Sequence, residues 1–231
     1  MPDNAIYHLA NAFGQLEKFP FPLELNPVTR VYFERRAGLE SGQRAADMRA
    51  ILRRPPDKDA VARLSKDSRY NSLLRTTCVA TMLNAGHAPN ALPQLAHANV
   101  NCRILPGHSP EQIRGEVTTI LADTAVTVRF VSDAGEVSDR APDRVAFPPI
   151  LPPDEILKPL QRIAEAMWNG VPVIPEMETG ASDSIYTVAA CMPSYGVSGI
   201  AIDQDDVRAH GKDERVRVSA FYDGVEFYYR H

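Results

Sequence analysis

Three short stretches of the chain gather side chains whose types could do chemistry together. The first is Gly86-His87-Ala88-Pro89-Asn90-Ala91-Leu92-Pro93, and Arg103 follows Asn90 by 13 residues. An imidazole at His87 can donate to a developing oxyanion. A guanidinium at Arg103 can fork onto a carboxylate, and the Asn90 amide offers both a donor and an acceptor. The second stretch is Glu178-Thr179-Gly180-Ala181-Ser182-Asp183-Ser184. Placed at the start of a helix, its backbone N–H groups would favour an anion or a substrate carboxylate. The third is Arg208-Ala209-His210-Gly211-Lys212-Asp213-Glu214, where His210 is a candidate metal ligand. Taken singly, each has an ordinary structural reading: a solvated loop histidine, an arginine paired with a surface acid, a helix cap beside a flexible glycine. One histidine is not a metal site.

These residues must be positioned by the elements around them. Ile6, Leu9, Ala10, Phe13 and Leu16 recur at helical spacing, with Asp3 as the predicted cap and Pro20 beyond the end. Residues 28–74 read as a charged, solvated helical insertion. TTCVATM at 76–82 and AHANVNCRIL at 96–105 read as strands. In the second, Ala96, Ala98, Val100, Cys102 and Ile104 face one way and His97, Asn99, Asn101 and Arg103 the other. The Gly-, Pro- and Asn-rich NAGHAPNALP between them is a loop. Ser109, Pro110 and Gln112 spell a helix start with a capping box, and Ile113, Val117, Ile120 and Leu121 form that helix's apolar stripe. AVTVRFV at 125–131 alternates as a further strand. Helices on one face of a small antiparallel sheet make a two-layer α+β unit over residues 1–135.

Residues 133–153, ending in FPPILPP, read as a linker and domain boundary. After it, 154–168 is helical, with Pro159 tolerated only in the first turn or at a kink. VPVIPEMETG is extended, SDSIYTVAAC is a helix capped by Ser182 or Asp183, and SYGVSGIAI is a strand. A last helix over 215–229 bears Val218, Phe221, Val225 and Tyr228. Residues 150–231 thus read as part of an α/β layer.

Composition narrows the function classes. At 44% hydrophobic and 23% charged, the 231 residues are ordinary for a globular protein, which excludes wholesale disorder. A net charge of −4 speaks against a broadly basic nucleic-acid binder. No apolar run is long enough for a membrane helix, and the N-terminus lacks a signal pattern, so a cytoplasmic location is the default expectation. Cys78, Cys102 and Cys191 show no CxxC spacing and read as small apolar side chains rather than a disulfide scaffold or a zinc knuckle.

The ordered set of the His87 loop with NALP, the Arg103 strand leading into LPG, TGASD and HGKDERV resembles the zinc-dependent metallopeptidase family of aminoacylase, carboxypeptidase G and succinyl-diaminopimelate desuccinylase. The resemblance covers nearly the whole chain. It implies an α+β lid that dimerises, over residues 1–135, joined to the C-terminal part of an α/β catalytic domain over 150–231. It implies that His87 reaches the partner subunit's site and stabilises the oxyanion. By the same resemblance Asn90 and Arg103 hold the substrate carboxylate, Gly180, Ala181 and Ser182 line the substrate loop, and His210 is the last metal ligand. The expected cofactor of the complete site is a zinc pair. The expected partners are a second copy bound through the lid and a small peptide or N-acyl amino acid, with no nucleic acid and no membrane.

The family's other ligands, an HxD pair, a bridging Asp and a Glu-Glu pair, have no counterpart here. His8 precedes a Leu. One imidazole cannot hold two zinc ions or activate their water. The chain therefore reads as a truncated member that is weak or inactive as a dinuclear metalloenzyme, with zinc absent or incompletely bound. Two rival readings remain. One is a metal-independent esterase-like hydrolase using Ser182 or Ser184 with His210 and Asp183 or Asp213, although no GxSxG elbow is present. The other is a non-catalytic dimerisation or carboxylate-binding module.

Overall fold

The computed structural model describes residues 3–144, 147, 149–180, 182–209 and 211–231. They divide into two compact units, Met1–Pro149 with Glu176–Ser182, and Ile150–Pro175 with Asp183–His231. The fold is a mixture of helices and two small antiparallel sheets.

In the first unit α1 (Ala5–Lys18) begins one residue later than the sequence pattern predicts. Asn4, not Asp3, caps it, its side-chain oxygen accepting from the Ile6 and Tyr7 N–H groups. Asp3 instead meets His8 Nε2 at 2.8 Å. Four helices follow: α2 (Pro27–Leu39), α3 (Gly42–Ala50), α4 (Lys58–Leu64) and α5 (Ser68–Leu74). This segment is helical as predicted, but it is not a solvated cover. Phe33, Met48, Ile51, Leu73 and Leu74 are all buried to within 1%, so it forms a core of its own. Full burial of such side chains is worth about 1.5–3 kcal/mol each. The charges that dominate the sequence lie around that core, and buried Asp47 is satisfied by Arg63 and Gln43.

β1 (Thr77–Ala85) and β2 (Ala96–Arg103) pair antiparallel, from Thr77↔Arg103 at the open end to Ala85↔Ala96 at the loop end. A bulge between Ala80 and Met82 flips the alternation of β1. α6 (Pro110–Leu121) starts at Ser109, whose hydroxyl accepts from the Gln112 N–H as predicted. The Gln112 side chain turns to Glu116 rather than back to the cap, so only half of the capping box forms. Leu16, Phe21, Ile113 and Val117 make the core between α1, α6 and the sheet, with Cys78, Val100, Cys102 and Ile104 packed against it.

Two expectations, one of them reaching into the second unit, fail. Cys78 and Cys102, directly opposed in the ladder with Cα atoms 4.1 Å apart, are joined in a disulfide, and Cys191 is free and exposed. The reading of all three as buried apolar residues missed a pairing set by strand register. The strand predicted at 125–131 also shrinks to β3 (Phe130–Val131), paired with β4 (Val137–Ser138). Residues 126–130 still alternate inward and outward, because alternation is a property of extended backbone, whereas a ladder needs a neighbour.

The second unit holds α7 (Asp154–Met167), α8 (Ser184–Ala189) and α9 (Val218–Arg230). Pro159 lies inside α7, past its first turn. Asp183 occupies the N-cap position of α8 without a side-chain cap bond. Among the described residues VPVIPEMETG and SYGVSGIAI pair with no strand, so the predicted strand at SYGVSGIAI is an extended segment. It is nonetheless tightly fitted: a Cβ on Gly199 would fall 2.4 Å from the Phe227 side chain, and one on Gly224 2.5 Å from Ile200. Trp168 stacks on Phe227 at 5.6 Å. α9 buries Ala220, Gly224 and Phe227. The predicted stripe residues Val218, Phe221, Val225 and Tyr228 are instead each at least half exposed.

Candidate substrate-recognition site

Arg103 closes β2 at the open end of the ladder, one residue after the disulfide that clips the two strands together. Its side chain is on the polar face, exposed, and its Nη1 donates to the Thr179 carbonyl at 2.8 Å. Among the described residues the rest of the guanidinium makes no hydrogen bond, so a planar set of donors faces outward beside the Thr179-Gly180 peptide.

That peptide belongs to an extended strap, Glu176–Thr179, that packs within the first unit. Arg69 forks onto Glu176, Nη2 lying 3.0 and 3.1 Å from the two carboxylate oxygens. Met177 is buried, and the Asn26 amide donates to its sulfur at 3.1 Å. The Ser72 hydroxyl, which donates to the Arg69 carbonyl at 2.8 Å, lies 3.5 Å from the Thr179 hydroxyl. Behind the strap, burial first and the Glu176 charge second push the Tyr32 phenol up to about 12, so it stays neutral. The Gly180 N–H, expected to be available to an anion, already donates to Glu178 Oε1 at 2.7 Å. A side chain at 180 would crowd that oxygen at 3.1 Å. The second stretch thus acts as a held loop more than as a helix terminus, and α8 is only six residues long. Ser182 is exposed at its end. Ala181 lies outside the described residues.

His87 and Asn90 sit elsewhere. Gly86, at φ 77°, turns the chain out of β1. Both side chains are exposed in the loop that follows, which is tied down where the Ala5 N–H donates to the Pro93 carbonyl. Asn90 belongs to the loop at one end of the β1–β2 ladder and Arg103 to the other end, the ladder itself spanning roughly 20–25 Å at the rise of a strand.

His210 lies outside the described residues. Around it, Arg208 pairs with Asp206 and with Asp213, and Arg215 with Asp206 at 3.0 Å. The Arg215 and Arg208 hydrogen bonds hold the Asp206 carboxyl down at about 2. Asp213, a candidate orienting acid of the esterase reading, is taken by Arg208. Among the described residues no three His, Cys, Asp or Glu side chains group to hold a metal ion. The described part does not fit the family's metal pair, and no step is assigned through it.

Sequence reasoning did not single out Asn26, Arg69, Ser72 and Glu176. The helical-face spacing of Arg69 and Ser72 was legible, but their partners lie 107 residues away.

Residues 2–129 match the peptidase dimerisation domain family. The N-fatty-acyl-amino acid synthase/hydrolase of Xenopus tropicalis is 29% identical over 161 residues, covering 68% of this chain and 29% of that protein. The probable carboxypeptidase S-like 2 of Dictyostelium discoideum is 26% identical over 167 residues, covering 72% and 30%. The chain thus matches less than a third of the length of these relatives. An M20 family metallo-carboxypeptidase from Sulfolobus solfataricus shares the fold, with a TM-score of 0.59 at 14% identity, over 99% of this chain and 52% of that one. With more than half of its length matched to that domain, the chain belongs to the M20 peptidase family.

Proposed function

We propose that these residues recognise the free carboxylate of a peptide or N-acyl amino acid, within a dimeric amide hydrolase of the M20 kind. The N-fatty-acyl-amino acid synthase/hydrolase relative, by its name, favours an N-acyl amino acid as substrate. The observation that carries the reading is Arg103, oriented by the Thr179 carbonyl with its other donors turned outward. A carboxylate meeting this fork forms charge-assisted bonds that a primary amide cannot match.

We assign recognition rather than bond cleavage to the described residues, since they supply no grouped metal ligands. As in the family resemblance, a lid over 1–135 dimerises and the residues from 150 onward belong to a catalytic layer. His87 and Asn90, at the far end of the ladder, then serve the partner subunit's site across a two-fold axis. Two features support self-association. The two-stranded ladder leaves outer edges that no described strand covers. Val79, Met82 and Leu83 on β1 are 61–70% exposed. Among the described residues no helix is long and apolar enough to cross a membrane. The disulfide argues against the cytoplasmic expectation, because cytosolic thiols are kept reduced.

Calorimetric titration with N-dodecanoylglycine and with its primary amide tests the reading. The acid binds more tightly, and Arg103→Ala weakens it about ten- to hundredfold while leaving the amide unchanged, the usual worth of a charged hydrogen-bonded contact. Equal affinity for acid and amide in the unaltered protein sinks the reading. Two tightly bound zinc ions per chain, found by metal analysis, would overturn the assignment of recognition alone.

A further inference from the structure

Among the described residues, Glu176–Thr179 takes part in no helix, no strand and no backbone–backbone hydrogen bond. A segment without a ladder is placed by whatever its side chains and carbonyls can reach. Here those are Arg69 on Glu176, Asn26 on Met177, and Ser72 and Arg103 on Thr179. Three of the four anchors come from the helices and helix caps of residues 26–74, which the carboxylate reading leaves without a role. Arg69 makes the most bonds to the strap, Nε and Nη2 reaching the Glu176 carboxylate at 3.0–3.3 Å. Its own N–H donates to the Asp67 cap of α5 at 2.9 Å, and Ser72, three residues on, shares its helix face.

We propose that Arg69 is a positioning residue for carboxylate recognition, its fork on Glu176 setting the strap whose Thr179 carbonyl orients Arg103. This rests on the reading of Arg103 as the carboxylate grip. The physical route is preorganisation. A free arginine side chain loses rotamer freedom on gripping a ligand, and a carbonyl that already holds one nitrogen removes part of that loss before the ligand arrives. Thr179 can do so only while the strap stays in place. Arg69→Met keeps the aliphatic stem and removes the fork.

The experiment combines backbone amide NMR order parameters at residues 177–180 with titration of N-dodecanoylglycine and its primary amide, on the full 231-residue chain. In Arg69→Met, the order parameters across 177–180 fall from rigid values to below about 0.6 with β1 and β2 unchanged, and the acid-to-amide affinity ratio falls about fivefold or more. Arg69→Lys recovers part of the ratio, and the swap Arg69→Glu with Glu176→Arg recovers more. A merely structural Arg69 would weaken acid and amide alike and leave the ratio untouched, which overturns the proposal. So do order parameters that stay rigid across the strap in Arg69→Met. Should Arg69→Met fail to fold, Glu176→Gln weakens the same fork from the strap side, and the same two readouts decide. If Arg103→Ala lowers the ratio and Arg69→Met does not, the proposal alone falls. If Arg103→Ala leaves the ratio unchanged, the grip reading falls and takes the proposal with it.

Discussion

α2 and α9 are both thirteen residues long, and they use their apolar residues in opposite ways. α2 has hardly any one-sided hydrophobic pattern, yet it buries Val28, Thr29, Tyr32, Phe33 and Ala37. α9 has a clear stripe, yet Val218, Phe221, Val225 and Tyr228 face outward and only Ala220, Gly224 and Phe227 are buried. The difference lies in what surrounds them. α2 packs closely on α3, and the Phe33 ring lies against Tyr70 of α5. α9 is covered by α7 and the glycine-lined segment around Ile200. A periodic pattern says that a helix has an apolar face; it does not say that the face is covered. The same contrast runs through the two units. Among the described residues, the buried apolar side chains of the second unit are Leu160, Ala164, Ala220 and Phe227, and all the others belong to the first.

The sharpest way to break this comparison is to cut each region at an aromatic ring. Phe33→Ala should cost about 3–5 kcal/mol of first-unit stability, since Phe33 has no exposed surface. Phe221→Ser should change stability by less than about 0.5 kcal/mol. Urea unfolding followed by circular dichroism reads the first. The lone tryptophan, Trp168, stacked on Phe227 in the second unit, reports the other by fluorescence. A comparable loss in both variants would mean that the Phe221 face of α9 is covered after all.

Next in size is the disulfide. Replacing Cys78 and Cys102 together by Ala should cost about 2–4 kcal/mol in the first unit. The tryptophan transition should not move, because both cysteines and their packing partners lie in the sheet core. An equal shift of both transitions would show that the units unfold as one.

The smallest effects are electrostatic and separate the units by pH. Arg114 first, and the Ala141 N–H second, hold the Glu111 carboxyl at about 2. Arg215 and Arg208 do the same for Asp206. Both folded values lie below those of the unfolded chain, roughly 4.3 and 3.9. The stabilisation is therefore whole above about pH 4 and drains away as the pH falls toward 2. His8 runs the other way. Hydrogen bonds to Asp123 and then Asp3 raise it, so its contribution is full below about 6.5 and is lost as the pH rises through its folded value. His8→Gln should remove that alkaline loss from the first unit alone, read as a flatter urea midpoint above pH 6.5. A pH dependence unchanged by His8→Gln would mean that the Asp3–His8–Asp123 bridge contributes nothing.

Where the signals were local, the sequence was readable. Ser109-Pro110 marked the start of α6 because a cap is made by residues three apart. The alternation from Ala96 to Arg103 placed Arg103 on the polar face because strand side chains alternate by geometry alone. The candidate site was half legible for the same reason. Arg103 could be chosen from its strand and Gly180 from its loop, but the bond joining Arg103 to Thr179 spans 76 residues. Asn90 could be chosen from its loop too, yet its place near the far end of the ladder follows only from the register.

Residue order alone thus determined the helix starts, the hairpin, the polar strand face and the family to which the chain belongs. Three-dimensional packing decided the rest: that Cys78 meets Cys102, that the charged helices enclose a core, that SYGVSGIAI finds no ladder, and that Arg69 reaches Glu176. The physical reason is one of range. Caps and alternation are settled within a few residues of backbone, whereas pairing, burial and ion contacts depend on which distant segment arrives alongside, and no single segment encodes its neighbour.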